Sequence, residues 1–390
     1  MALSATSQTS NTINSQTGNK VKTVSFITGH YYPSKRRAGF HNLADAALRL
    51  GYHVNFITVG YSLLSYLRND YRIHSTGIRQ NHNRVVSLRE NLDSYVYFTL
   101  WHPMTLLLPT LNRVSMHWMD RYGQGNLGNL LPLVKQTDVF VFESGPGLFL
   151  FRRFQQENPA ARMVYRVSDD IRILGSTHPR LIEWEREIAP EFDYISVPSS
   201  VMLDMFPGVS VALDRHGLDT QAYDVCTQSP YNTGTRNAIF VGTGYMDSEF
   251  LRAAATAHPQ CQFHIIGPMA DTLHLKNTHF LGEMPFKATL PYIKFADVGL
   301  GIRTFRKGFA STLTDSLKII QYRYCGLPIV SPDFLDLHRE GVFYYRPGDA
   351  GSCAAALGQA LQHGRHAEYA EEVHSWDEVA RNILESSSHH

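Results

Sequence analysis

From Val21 onward the chain alternates short β-branched runs with stretches of helical period, joined by glycines and small polar residues. Val21–Thr28 reads as a strand, Gly29–Gly39 as a loop, and Phe40–Leu50 as a helix with Leu43, Ala46, Ala47 and Leu50 on one face. Gly51 follows it, placed where a helix end needs a left-handed residue. His53–Val59, Asp138–Glu143, Arg162–Tyr165 and Asp193–Val197 read as further strands. Parallel strands need long crossovers, and helices between them supply these with one hand. The alternation therefore restricts the chain to the α/β class, with a Rossmann-like sheet in this half.

A second set of strands opens at Ala238–Gly242 and continues with Gln262–Ile266, Val298–Ile302 and Pro328–Ser331. Helices are expected near Asp247–Thr256, Pro291–Phe295 and Thr314–Tyr324. Between the sets, Gly217–Thr235 has the composition of a linker, which places a boundary at about residue 220. The expected organisation is a leader over 1–20, domains over 21–220 and 221–372, and a C-terminal helix within 373–390 that leaves the second domain. Two open sheets facing each other enclose a cleft at the carboxyl ends of their strands, where ligands bind.

Composition narrows the function. The 390 residues carry 36 Lys+Arg against 35 Asp+Glu, a balance that argues against a nucleic-acid coat. Four cysteines without ligand spacing point to neither a zinc site nor a disulfide framework, and suggest a reducing compartment. Met1–Lys20 is polar and reads as disordered rather than as a signal peptide, and no stretch of 18 apolar residues suggests a membrane span. Charged residues are only 18% and aromatics 12%, which implies apolar surface beyond the core.

The sharpest segment runs from Ser311 to Ser331. A hydroxyl-rich loop opens a helix, and Gly326-Leu-Pro328 closes it into a strand. Free N–H groups at a helix start suit a diphosphate, Lys318 lies one turn inside, and Gln321 follows at i+3. Spacing alone leaves open an ordinary surface Lys and Gln.

Lys318-x-x-Gln321-Tyr322-x-x-x-Gly326-x-Pro328 resembles the nucleotide-sugar helix of GT-B glycosyltransferases. Where many retaining members carry glutamate, this chain has Gln321, which keeps hydrogen bonding and loses the charge. His279-Phe-Leu-Gly-Glu283-Met284, Arg215-His216-Gly-Leu-Asp219 and Ser375-Trp376 resemble further GT-B elements: the loop that meets the base, the turn ending the first domain, and the returning C-terminal helix. Val141-Phe-Glu143-Ser-Gly145, Val164-Tyr-Arg-Val-Ser-Asp169 and Asp315-Ser316-Leu-Lys-Ile-Ile-Gln321 are more specific. In that order they resemble the inverting glucuronosyltransferases of bacterial xanthan- and acetan-type exopolysaccharide assembly, from about Val21 to Trp376. The resemblance implies transfer of glucuronate from UDP-glucuronate to the mannose of a polyprenyl-diphosphate-linked oligosaccharide, with a β-1,2 link. It further implies no metal or other cofactor, and a peripheral position on the cytoplasmic face of the inner membrane.

An inverting transfer needs one base for the acceptor hydroxyl. From the residues alone Asp169 is either that base or, with Ser168, a helix N-cap; the resemblance implies the base. Asp170 beside it is an additional carboxylate that would raise a neighbour's pKa if both faced the cleft. Donor-binding candidates are Lys318, Gln321, Glu283, Met284, Ser316, Tyr245 and Arg303, with Arg306 and Lys307 beside Arg303 as cations for the glucuronate carboxylate. Glu143 and His216 are acceptor-side candidates. Arg68, Arg72, Arg79, Arg84 and Arg89 precede an aromatic and apolar stripe of Trp101, Met104, Leu107, Leu111, Val114 and Trp118. Such a stripe is either core or, with the arginines, a contact to anionic lipid. The alternatives to glucuronate transfer are another UDP-sugar and a nonenzymatic nucleotide-sugar-binding protein.

Overall fold

The computed structural model describes residues 21–386 except 35–36, 68–69, 75, 106–108, 174–176, 243–244, 306–314, 336 and 338. The leader over 1–20, Arg68, Leu107, Arg306 and Lys307 thus lie outside the described residues.

The first sheet holds β1 (Thr23–Thr28), β2 (His53–Ser62), β3 (Val85–Arg89), β4 (Leu92–Thr99), β5 (Val139–Glu143), β6 (Arg162–Arg166), β7 (Tyr194–Val197) and β8 (Ala212–Leu213). Their order is β3-β4-β2-β1-β5-β6-β7-β8, and only the edge pair β3–β4 is antiparallel. The second sheet holds β9 (Arg236–Val241), β10 (Cys261–Ile266), β11 (Thr278–Gly282), β12 (Val298–Leu300), β13 (Ile329–Pro332) and β14 (Val342–Tyr345), all parallel, in the order β11-β10-β9-β12-β13-β14. Each sheet steps outward from its first strand in one direction and then in the other. The strand order therefore reverses beside β1 and beside β9, and the crevice at such a reversal is where ligands enter.

The central strands are apolar on both faces because helices cover both. Val24, Phe26, Val141 and Val164 pack under the helix Gly39–Arg49, while Ile27, Phe140, Phe142 and Tyr165 face the opposite layer. Sequence reading left out β3, β4, β8, β11 and β14, of which β4 is the longest. Its Leu-Asp-Ser-Tyr-Val-Tyr-Phe-Thr run favours a strand by its aromatic and β-branched content, and it pairs with β2 from Val54↔Leu92 onward.

The C-terminal helix Trp376–Glu385 belongs to the first sheet's layers. Ser375 caps it reciprocally with Glu378, and Trp376, Val379, Ala380, Ile383 and Leu384 are buried with the helix Gly39–Arg49. The Arg162 guanidinium donates to the carbonyls of Ile383, Leu384 and Ser386 at 2.6–3.0 Å, satisfying the helix end. The chain crosses between the sheets twice, and the crossings lie side by side. Leu218 N–H donates to His374 O at 2.9 Å. Gly217 is needed there, because a Cβ would sit 2.6–2.7 Å from the Trp376 backbone.

Candidate active site

The first half-site forms at the carboxyl ends of β1, β5 and β6. Glu143, the last residue of β5, accepts hydrogen bonds from the Thr28 hydroxyl and from Ser168 Oγ at 3.1 Å. His30 Nε2 stands 3.6 Å from the same carboxylate, and its backbone N–H donates to Thr28 Oγ1 at 3.1 Å. Asp169 follows β6 and is exposed. Although water reaches it, protein surrounds most of it. That partial burial, then the charge of Glu143, raise its pKa above the usual carboxylate value, against a smaller opposing effect of His30. Burial works against a charged His30, but the hydrogen bond and charge of Glu143 outweigh it and raise its pKa.

Asp170 does not act as an added carboxylate in the cleft. It is buried, accepts from Arg172 Nε at 2.7 Å and Nη2 at 2.6 Å, and closes a turn on the Arg172 N–H. The charge that raises Asp169 comes from Glu143 instead. No helix begins at Ser168, so Asp169 is not a helix cap.

Arg72 is also reassigned. Its guanidinium donates to the carbonyls of Gly29, Val59 and Gly60 at 2.6–3.3 Å and pairs with Asp70 at 2.7 Å. It ties the ends of β1 and β2 together, behind His30, and has no free charge to offer a lipid.

The second half-site forms where β9 and β12 diverge. Lys318 Nζ is buried, has no hydrogen-bond partner among the described residues, and lies 4.1 Å above the Phe240 ring centre. Burial, reinforced by the charge of Arg303, drives its pKa well below that of a free lysine. Gly242 leaves the room: a Cβ there would come within 3.1 Å of Nζ. Arg303 is half-buried at the end of β12, with its pKa lowered by burial. Tyr245, at a positive φ of 54°, accepts the Thr304 N–H on its carbonyl at 2.9 Å and joins the two loops.

Ser316 is the cap residue of the helix Leu317–Tyr324, and its side chain makes no capping bond. Asp315 before it is buried between Arg339 and Arg215, the latter 3.2 Å away and belonging to the first crossing. Gln321 lines a cleft of about 640 Å³ with Leu317, Pro285, Phe286 and Trp376, faced by Arg37, Asn42 and Asp45 of the first half. Gln321 thus looks into the cleft while Lys318 turns beneath β9, because three residues turn a helix through only about five-sixths of a circle. Glu283 is exposed and Met284 half-buried in the loop after β11, next to Pro285 of that cleft. His216 sits at the crossing, 6.1 Å from Trp376; burial, then the charge of Arg166, push its pKa down to about 3, so it is neutral. Among the described residues, no group of three His, Cys, Asp or Glu side chains is gathered to hold a metal ion.

Residues 26–198 match the family described as "Glucuronosyltransferase GumK, N-terminal domain". Over 339 residues, 86% of this chain and 83% of the relative, the sequence is 31% identical to the UDP-glucuronate:glycolipid 2-beta-glucuronosyltransferase of Xanthomonas campestris pv. campestris. The chain belongs to the GumK glucuronosyltransferase family. The matched residues 26–198 of this chain include His30, Glu143 and Asp169. The fold is shared more widely among GT-B enzymes. A UDP-forming α,α-trehalose-phosphate synthase from Burkholderia xenovorans superposes with a TM-score of 0.60 at 12% identity, over 93% of this chain and 98% of that one. A second such synthase, from Burkholderia vietnamiensis, gives 0.53 at 11% identity, over 93% and 97%.

The apolar stripe divides. Trp101 is half-buried, packs 6.1 Å from Tyr122 and belongs to the first core, so it is not a surface anchor. Along the helix Pro109–Met119, Asn112 and Met119 turn inward, while Leu111, Val114 (73% exposed) and Trp118 (60% exposed) face out. Arg121 lies 4.9 Å over the Trp118 ring, and Arg79 and Arg113 are exposed. No helix of the described residues is long and apolar enough to cross a membrane.

Sequence reading missed His30 and Thr28, which lay in and beside a segment read as a loop. Their position was the signal: they end the first strand, where the strand order reverses.

Proposed function

We propose that this GumK-family protein is an inverting glycosyltransferase moving glucuronate from UDP-glucuronate to a mannose hydroxyl of a polyprenyl-diphosphate-linked oligosaccharide, with a β-1,2 link. The observation that carries the reading is the buried amine of Lys318, unpartnered among the described residues. An amine without a hydrogen bond in such a place is costly unless an anion completes it, and the diphosphate of a nucleotide sugar supplies one. Ser316 and Tyr245 flank that seat, and Gln321, Glu283 and Met284 surround the nucleoside end of the cleft. Arg303 is the described cation for the glucuronate carboxylate.

Across the cleft, Asp169 takes the proton of the acceptor hydroxyl as its oxygen attacks the anomeric carbon. The bond to UDP breaks on the opposite side, and the charge developing on UDP falls to Lys318. Lys318 and Arg303 provide the counter-charge, so this reading needs no metal. The 31% identical relative, named for action on a glycolipid, supports a lipid-borne acceptor. The outward face of Leu111, Val114 and Trp118, with Arg79 and Arg113, is the surface assigned to the cytoplasmic leaflet of the inner membrane.

The test is a panel of UDP-glucuronate, UDP-glucose and UDP-amino sugars with a mannose-terminated lipid-linked trisaccharide, with and without chelator. Transfer from UDP-glucuronate is expected in both conditions. Asp169→Asn should lose on the order of 10²–10⁴ in turnover while still binding donor. Full turnover in that variant, or equal use of UDP-glucose, overturns the assignment.

A further inference from the structure

Behind Asp169 lies a chain of hydrogen bonds that the transfer, as written above, does not use. Ser168 N–H donates to Ser144 Oγ at 3.0 Å. The Tyr165 hydroxyl stands 3.3 Å from the same Oγ and donates to the carboxylate of Glu185. A hydroxyl carries one proton. With the Tyr165 proton committed to Glu185, the proton between Ser144 and Tyr165 belongs to Ser144. Every donor therefore points the same way, from the backbone beside Asp169 to a carboxylate on the helix Pro179–Ile188. Bonds so aligned strengthen one another, most of all when the terminal acceptor is charged.

We propose that Glu185 is a positioning residue for Asp169, acting through Tyr165 and Ser144 on the backbone of Ser168. The proposal rests on the transferase reading given above. Glu185 is 2% exposed, Tyr165 is fully buried, and neither reaches the cleft, so neither touches substrate. Facing Glu185 are Tyr165 from β6, Asp170 and Arg172 from the loop after it, and Arg186 from its own helix. Arg172 is paired with Asp170, and among the described residues no cation forms an ion pair with Glu185. Burial raises its pKa to about 7, against the hydrogen bond from Tyr165. Once Glu185 is neutral, it no longer provides a charged end to the chain, and the loop carrying Asp169 loosens.

The sign follows from linkage. The folded-state pKa of about 7 lies above the unfolded value of 4.5. The folded protein thus holds the extra proton between those values, and this contribution to stability is lost as pH rises through 7. Activity runs the other way, rising as Glu185 ionises.

The experiment compares wild type, Glu185→Gln and Tyr165→Phe. In wild type, kcat with UDP-glucuronate should show an inflection near pH 7 above the limb due to Asp169. Glu185→Gln keeps an acceptor for Tyr165 but cannot titrate. It should lower kcat about threefold to tenfold and remove that inflection, with KM for the donor changed less than twofold. Tyr165→Phe should remove it as well. Without substrate, the wild-type melting temperature should fall relative to Glu185→Gln by several degrees between pH 5 and pH 8. A wild-type pH profile that Glu185→Gln reproduces overturns the positioning role alone, as does a melting difference that does not change with pH. Wild type that turns over no UDP-glucuronate overturns the reaction assignment and this proposal with it.

Discussion

Lys318 and Asp169 are both held away from their ordinary ionisation, by different means. Lys318 loses hydration and, among the described residues, gains an aromatic face and a like charge, Arg303. Asp169 stays exposed but shares its surroundings with Glu143, whose carboxylate accepts hydrogen bonds from Thr28 and Ser168. Function and stability conflict most clearly at the lysine. Replacing it with methionine removes a buried amine that no described residue completes. Lys318→Met should therefore raise the melting temperature while weakening UDP binding by about tenfold or more, the loss of one charge-assisted bond. Calorimetry of the free protein and titration with UDP read the two effects separately; unchanged UDP affinity would remove Lys318 from the donor seat. The activity limb set by Asp169 is expected above the usual carboxylate range, since burial and Glu143 both raise its pKa.

Elements decide which side chains of a motif meet. The helix Leu317–Tyr324 points one side chain under β9 and another into the cleft, although both belong to one short sequence signature. The helix Pro109–Met119 packs Asn112 and Met119 inward and leaves Leu111, Val114 and Trp118 in water. Apolar residues three and four apart commonly mark a core face; here the same period marks an outer face, and arginines adjoin it. Vesicles rich in anionic lipid should sediment the protein at low salt and release it at high salt. The double substitution Val114→Asp, Trp118→Asp should abolish binding without changing the melting temperature, because neither side chain is in the core. Binding that survives the double substitution would place the contact elsewhere.

At the scale of the molecule, the C-terminal helix makes the first half depend on the end of the chain. Trp376 is buried with Phe40 and Val141 of the first half and its backbone meets Gly217 at the crossing. Trp376→Ala should cost about 3–5 kcal/mol in urea unfolding, the range for an aromatic removed from a core. A loss under about 1 kcal/mol would mean that the helix is not integral to the first half. The two crossings are paired through Leu218 and His374, and beside them the cleft lined by Gln321 is shared by residues of both halves.

The α/β class, the two strand sets and the helix that carries Lys318 and Gln321 were legible in the sequence. Hydrophobic period, glycine punctuation and local motifs are written in neighbouring residues, and these features depend on little else. Asp169 was singled out from its place after a strand together with a family motif. The roles of Arg72, Asp170, Trp101 and His30 were not, because each depends on partners far along the chain or across a loop. Arg72 reads as a surface charge until the carbonyls of Gly29, Val59 and Gly60 close around it. His30 reads as loop until β1 and β5 lie side by side and bring Glu143 to it. Sequence by itself determined the order of elements and the chemistry available. Tertiary structure alone decided which charges are paired, buried or free, because those properties arise from distances that one-dimensional order does not contain.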